Sequence, residues 1–328
     1  MKVFYKKIKK NIYLLYVLIK LVNNYIYDIS RYLLYSNTFI KERDKETVEG
    51  RIIARYHVIE KGLALPETRL GFGKENIIEL INLINKHHKT LEGSVHLKAS
   101  LGALNEYLKF HDDNNYDFEY RSKIIDTINK FRKTEKKYGG VKTIKKSNIN
   151  KYAKGNFTQL INSRHSIRNY TNENIPSKLV KKAIKLAQKT PSVCNRQINR
   201  VYLLKNKQLI EKALSVQTGN RGFNHTINQL IIVTCNLSYL DGVRERNQAY
   251  IDGGMFSMSL LYSLHYLGLG ACALNWSANK KMDKEIREYI PIKKEEVIIM
   301  MISFGNFPEE IQVANSQRNI LKDIVKEL

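Results

Sequence analysis

Leu230-Ile231-Ile232-Val233-Thr234 is a short, unbroken apolar run rich in β-branched residues, and its neighbours decide the kind of core it enters. A run of that length without polar alternation predicts a strand covered on both faces. Upstream, Val201-Tyr202-Leu203-Leu204 has the same character. Downstream come a helix-length apolar run from Tyr250 to Leu267 and a strand-like segment from Val297 to Ser303, closed by Gly305. A helical spacing from Lys178 to Gln188 precedes them all. Helices interleaved with buried strands make this half α/β or α+β.

Further upstream the pattern is helical. Ile77, Ile78, Leu80, Ile81 and Ile84 recur at three- and four-residue spacing, as do Leu97, Leu101, Leu104 and Leu108. Turns are expected at Gly71-Phe72-Gly73 and Asp112-Asp113-Asn114-Asn115. Residues 1–130 thus read as a mainly helical region and 159–328 as a second unit. Residues 131–158, Lys-rich and containing Gly139-Gly140, are expected to link them.

At 328 residues the chain is long enough for two modest cores. Its formal charge of +24 is spread along it: residues 1–155 carry 31 Lys+Arg against 17 Asp+Glu. Such a field attracts anions generally, and it equally fits solvated surface lysines. The cysteines, Cys194, Cys235 and Cys272, show no CxxC spacing, so neither a disulfide framework nor a metal site is expected. The apolar run Ile12–Val22 is broken by Lys20 and is too short to span a bilayer. It is expected to pack as a helix on the rest of the protein. With its lysines and tyrosines, residues 1–27 could alternatively lie on an anionic membrane surface.

Four polar segments carry the chemistry. In Arg164-His165-Ser166-Ile167-Arg168-Asn169-Tyr170, two guanidiniums, an imidazole and a hydroxyl suit a phosphate, whose oxygens Arg meets two at a time. In Thr190-Pro191-Ser192-Val193-Cys194-Asn195-Arg196-Gln197, Pro191 stops a helix. The Asn and Gln that follow each offer a donor and an acceptor, as a uracil-like edge requires. The helix from Asp252 onward closes on Gly268-Leu269-Gly270, a C-cap and turn, before Ala271-Cys272-Ala273-Leu274-Asn275. Arg318 follows the last strand-like segment, either as a solvated charge or as one more phosphate ligand. His57, Glu60 and Lys61 share a helix face in the N-terminal region. They read as a solvated or capping face and offer too few ligands for a metal; the alternative is that this helical region covers the pocket of the second half and adds substrate contacts.

In their order and spacing, these four segments resemble the nitroreductase family of flavoproteins over residues 159–328. The resemblance implies a three-layer α+β fold, a central mostly antiparallel sheet flanked by helices. It implies FMN as cofactor and NADH or NADPH as reductant. Arg164, His165, Ser166 and Arg168 would grip the phosphate and part of the ring. Asn195, with Pro191, Ser192 and Gln197 in register, would meet the flavin. Backbone near Leu274 and Asn275 would cover the other ring face, and Arg318 would help hold the phosphate. It further implies a homodimer built on the Tyr250–Leu267 helix, hydride transfer through flavin N5 by ping-pong turnover to a small nitro, quinone or enone-like acceptor, and a cytoplasmic enzyme. Two positions depart from the family: Ile198 and Asn199 replace an aromatic after Gln197, and Asn275 stands where an acidic residue is common. Two other readings compete. One is a basic protein binding anionic membrane or nucleic acid, although no nucleic-acid motif is evident. The other is a flavin-dependent dehydrogenase or dehalogenase on the same fold.

Overall fold

The structure is a computed structural model and describes residues 2–35, 42–131, 138–240 and 243–328. It opens with five helices: α1 (Lys2–Tyr35), α2 (Lys45–Leu63), α3 (Lys74–His87), α4 (Val95–Asp113) and α5 (Arg121–Phe131). Then come β1 (Val141–Lys145), α6 (Lys146–Ala153), α7 (Phe157–Ser163), α8 (Ser177–Ala187) and β2 (Asn199–Leu204). These are followed by α9 (Lys207–Val216), β3 (Leu230–Asn236), α10 (Gln248–Tyr266), β4 (Gly270–Asn275), α11 (Lys280–Tyr289) and β5 (Glu296–Gly305). The chain ends with β6 (Glu310–Ala314) and α12 (Leu321–Ile324).

Four strands form an antiparallel sheet in the order β2-β3-β5-β4. The run that opened the sequence reading is β3, a central strand buried along its whole length. Strand alternation sends Leu230 and Ile232 into one core, with Ile210 and Leu214 of α9 and Ile286 of α11. Ile231 and Val233 enter another, with Val180 of α8 and Phe256, Leu260 and Leu264 of α10. The fold of this half is therefore α+β in three layers, α8 and α10 on one face and α9 and α11 on the other.

The N-terminal helices build a separate core from Ile52, Tyr56 and Ile59 of α2, Ile77, Leu80 and Ile84 of α3, Leu104 and Tyr107 of α4, and Ile124 of α5. Asp44 caps α2 in a reciprocal box with Thr47.

Two expectations need correction. Residues 141–153, taken as linker, are β1 and α6, and β1 pairs antiparallel with β6 from Val141↔Ala314 to Lys145↔Glu310. Val141 leans on the helical core and Ile144 on the sheet core, so this lysine-bearing ribbon is the seam between the two units. Gly139 has φ 63°, and a Cβ there would stand 2.2 Å from the Ala99 carbonyl oxygen. The glycine pair is thus a close backbone crossing over α4, not a flexible joint. Residues 132–137 of that stretch lie outside the described residues. The packing expected of residues 12–22 also fails along most of α1. Ile12, Leu14, Leu15, Leu18, Ile19 and Val22 are exposed, and no helix among the described residues is long and apolar enough to cross a membrane.

Candidate functional site

The segment Arg164–Tyr170 leaves α7 in extended conformation and lies along the edge strand β4. Ser166 makes a parallel bridge with Ala271, and the Ile167 amide donates to the Ala271 carbonyl at 3.0 Å. Ile167 and Tyr170 anchor it in the core; the Tyr170 hydroxyl reaches the Ile167 carbonyl at 2.7 Å and Ser303 Oγ at 2.9 Å. Side chains two apart on an extended chain share a face. Arg164, Ser166 and Arg168 therefore project together, which is what their spacing encodes.

They converge on Cys272 of β4. Arg168, Lys61 and Arg164 act on its thiol electrostatically and Ser166 hydrogen-bonds it, yet burial, the strongest influence, keeps its pKa above the ordinary thiol range. Arg164 Nε is buried and has no partner. Burial depresses the Arg164 pKa, with Arg318 adding charge repulsion. Burial also pushes His165 down to about 4, with Lys142, Arg164, His265 and Arg318 as its charged neighbours. His265 of α10, bonded to Ser163 Oγ at 2.8 Å, is likewise lowered to about 4, chiefly by burial and then by Arg164. Both imidazoles are therefore neutral near pH 7, and the positive charge resides on Lys61, Arg164, Arg168 and Arg318. Among the described residues no carboxylate pairs with any of these four. An orphaned buried guanidinium donor among uncompensated cations is the chemistry of an anion site, and an FMN phosphate fits that donor set.

The turn Pro191–Gln197 is a different construction. Cys194, Asn195 and Gln197 all adopt left-handed backbone (φ 48°, 54° and 51°), each costing about 1–3 kcal/mol outside glycine. The Val193 amide donates to Asp252 Oδ2 at 3.1 Å, and Asp252 is fully buried at the start of α10. Ser192 Oγ accepts from the Gln197 amide at 2.9 Å. Gln197 Nε2 donates to Asn195 Oδ1 at 3.2 Å, and both side chains are exposed. Arg196 forms a forked ion pair with Glu245 at 2.7 and 2.6 Å.

The structure does not bring the two segments together. The turn abuts α10 at Asp252, whereas Arg164 and Ser163 lie by Tyr262 and His265 near the other end of that helix. At 1.5 Å per residue the two places are on the order of 15 Å apart along the axis. Leu274 is buried with its side chain in the sheet core; Ala273 and Asn275 are the exposed residues of β4. The Asn275 carbonyl accepts from Gln217 Nε2 at 2.9 Å and its Nδ2 donates to Ser277 at 2.8 Å. Arg318 lies exposed near the first cluster, its Nη1 donating to the Ser316 carbonyl at 2.5 Å. Clefts of about 400 Å³ at Arg69–Asn76 and about 510 Å³ beside Lys207, Asn220 and Ile227 open elsewhere on the surface.

Residues 161–219 match the model of the nitroreductase family. The matched stretch spans both the Arg164–Tyr170 segment and the Pro191–Gln197 turn, and the second half of the chain resembles nitroreductases. Solved structures similar to this nitroreductase-like half include a protein named as an NADH oxidase from Clostridium acetobutylicum. It is 22% identical with TM-score 0.45, covering 52% of this chain and 99% of its own. Another is named as an NAD(P)H:FMN oxidoreductase from Staphylococcus epidermidis, 18% identical with TM-score 0.47, covering 53% and 96%. A third is named as a nitroreductase in complex with FMN from Desulfovibrio desulfuricans, 19% identical with TM-score 0.42, covering 52% and 95%. No curated protein matches the chain.

Sequence reasoning did not single out Tyr56, His96, Lys142 or His265 as neighbours of the site. The His57-Glu60-Lys61 face was visible, but as a solvated one. In the structure Glu60 is fully buried, with Oε2 3.3 Å from His57 Nδ1, and Lys61 is half-buried near Arg168.

Proposed function

We propose that the chain is an FMN-dependent oxidoreductase that passes a hydride from NADH or NADPH to a small nitro, quinone or enone-like acceptor. The observation that carries this reading is the Arg164–Ser166–Arg168 face, which lies within the stretch that matches the nitroreductase model, is joined by Arg318, and has no carboxylate partner among the described residues. FMN, when bound, would supply the redox chemistry of hydride exchange between two substrates that bind in turn. Arg164, Ser166 and Arg318 bind and orient the phosphate. Arg168 would stabilise the ring edge that gains electron density on reduction. Neutral His165 and His265 flank the guanidiniums without competing for the anion.

Asn195 and Gln197 are the donors and acceptors suited to the ring edge, and a second copy of the chain supplies them. Along α10, Ile251, Met255 and Tyr266 are exposed, Gly254 faces open space, and Met258 and Tyr262 continue the strip. Two such helices packed antiparallel set the turn of one protomer beside the guanidiniums of the other. The purified protein is therefore expected to be a yellow homodimer whose flavin absorbance bleaches on adding NADH or NADPH. Colourless protein that FMN cannot reconstitute would defeat the proposal.

Exposed apolar residues along α1, together with Lys9, Lys10 and Lys20, favour a second property, docking of this cytoplasmic enzyme on an anionic membrane surface. Cosedimentation with phosphatidylserine vesicles at low salt, lost on deleting residues 1–35, is the expected result. Equal sedimentation of both forms removes it.

A further inference from the structure

Part of the wall around the cation cluster comes from outside the nitroreductase-like half. Helix α2 belongs to the N-terminal core, yet its last two turns lie against the site and packs its far end into the sheet half. At the Arg318 side, the Tyr56 hydroxyl is hydrogen-bonded to His96 Nδ1 at 3.0 Å, and His96 Nε2 is bonded to Asn319 Oδ1. Five residues along the helix, about 7.5 Å at the helical rise, Lys61 stands beside Arg168 and Cys272. Just past the helix end, Leu65 packs on the sheet core, and its Cδ1 lies 2.5 Å from where Gly222 would carry a Cβ. The helix is thus gripped on both sides of Lys61, which fixes where the ammonium can reach.

Among the described residues no carboxylate pairs with Lys61. The adjacent Glu60 is buried, turns Oε2 to His57 and leaves Oε1 without a partner. The charged side chain that acts most strongly on the ammonium is Arg168, of the same sign, and burial together with Arg168 depresses the Lys61 pKa. Two half-buried cations side by side are unfavourable until an anion joins them. Neither forms a salt bridge elsewhere among the described residues.

Resting on the flavin reading above, we propose that Lys61 is a further ligand for the negative charge of bound FMN, so that the N-terminal helical unit forms one wall of the site. Two parts of FMN carry such charge: the phosphate, in both redox states, and the N1/C2 edge of the ring, after reduction. The arrangement also gives the ribbon between the units a purpose, because it holds α2 in register with the Arg164–Arg168 segment.

The test uses the full chain as Lys61→Met and Lys61→Arg, each checked for wild-type circular dichroism. FMN is titrated into the apoprotein by fluorescence quenching, and the midpoint potential is read by dithionite titration against a reference dye. A phosphate contact predicts at least tenfold weaker binding of oxidised FMN in Lys61→Met, largely restored in Lys61→Arg. A ring-edge contact predicts near-normal binding of oxidised FMN and a potential lowered by about 30 mV or more, a tenfold loss for the two-electron reduced form. If wild type binds FMN and Lys61→Met matches it in both measurements, the proposal is overturned and the flavin reading stands. If wild type fails to bind FMN, both fall. Should Lys61→Met not fold, Lys61→Gln takes its place with the same criteria.

Discussion

The segment Arg164–Tyr170 and the turn Pro191–Gln197 flank the same helix, α8, and carry similar numbers of polar side chains, yet they are held by opposite means. The first is a strand-like piece pinned to β4 and plugged into the core by Ile167 and Tyr170. Its cations meet Arg318 and Lys61 of their own chain. The second is kept in left-handed backbone by local hydrogen bonds and by Asp252, and its amides face outward. One chain therefore gathers its cations by itself but leaves the turn proposed to read the ring beside an exposed apolar strip on α10. Affinity for the phosphate should be a property of the chain, and recognition of the ring a property of the pair.

The contrast can be sharpened first by comparing Arg164→Ala with Asn195→Ala. Loss of a buried charge-assisted donor should weaken FMN by about 3 kcal/mol, roughly a hundredfold, against about tenfold for Asn195→Ala. Fluorescence quenching titrations measure both; equal losses would erase the distinction between the two segments.

A smaller effect is expected at the strip. Met255→Lys should cost about 2 kcal/mol of self-association, read by sedimentation velocity. The monomers it releases should keep affinity for inorganic phosphate while losing ring-dependent quenching of FMN. Monomers that bind FMN as tightly as wild type would show that the turn is not shared between copies.

The smallest effect is on pH dependence, and it is confined to the first segment. His165 and His265 sit at about 4 in the folded chain against an ordinary value of 6.5, so folding favours their neutral forms. Their contribution is complete above pH 6.5 and is lost as pH falls toward 4. For the well-buried His265, stability should drop by about 1–2 kcal/mol between pH 7 and pH 5. Thermal unfolding of wild type against His265→Gln checks this: the variant should show the shallower slope, and identical slopes would refute it.

How much of this was legible depends on the range of the interaction. Strands β2, β3 and β5 and helices α8 and α10 announce themselves because burial on one or both faces leaves a local apolar signature. The Arg164–Arg168 segment was readable because its guanidiniums fall within five residues, whereas the shared face of Arg164, Ser166 and Arg168 follows from its extended course along β4. Strand β1 was not, because its lysines belong to a two-stranded ribbon and its partner, β6, lies far along the chain. Helix α1 was expected to pack because apolar residues usually do. Nothing in its own periodicity reveals that most of its described apolar side chains remain exposed.

What the sequence by itself determined is the helical character of the first half, the interleaving of helices and buried strands in the second, and a cluster of guanidiniums suited to an anion. Those follow from side-chain chemistry repeated at helix or strand spacing. Only the tertiary structure decided which cations lie together, that Lys61 and Tyr56 join them from a separate core, and that Asn195 is held on the order of 15 Å away along α10. Such proximities are set by how the two cores dock across the β1–β6 ribbon, a long-range outcome to which no short window of residues is sensitive.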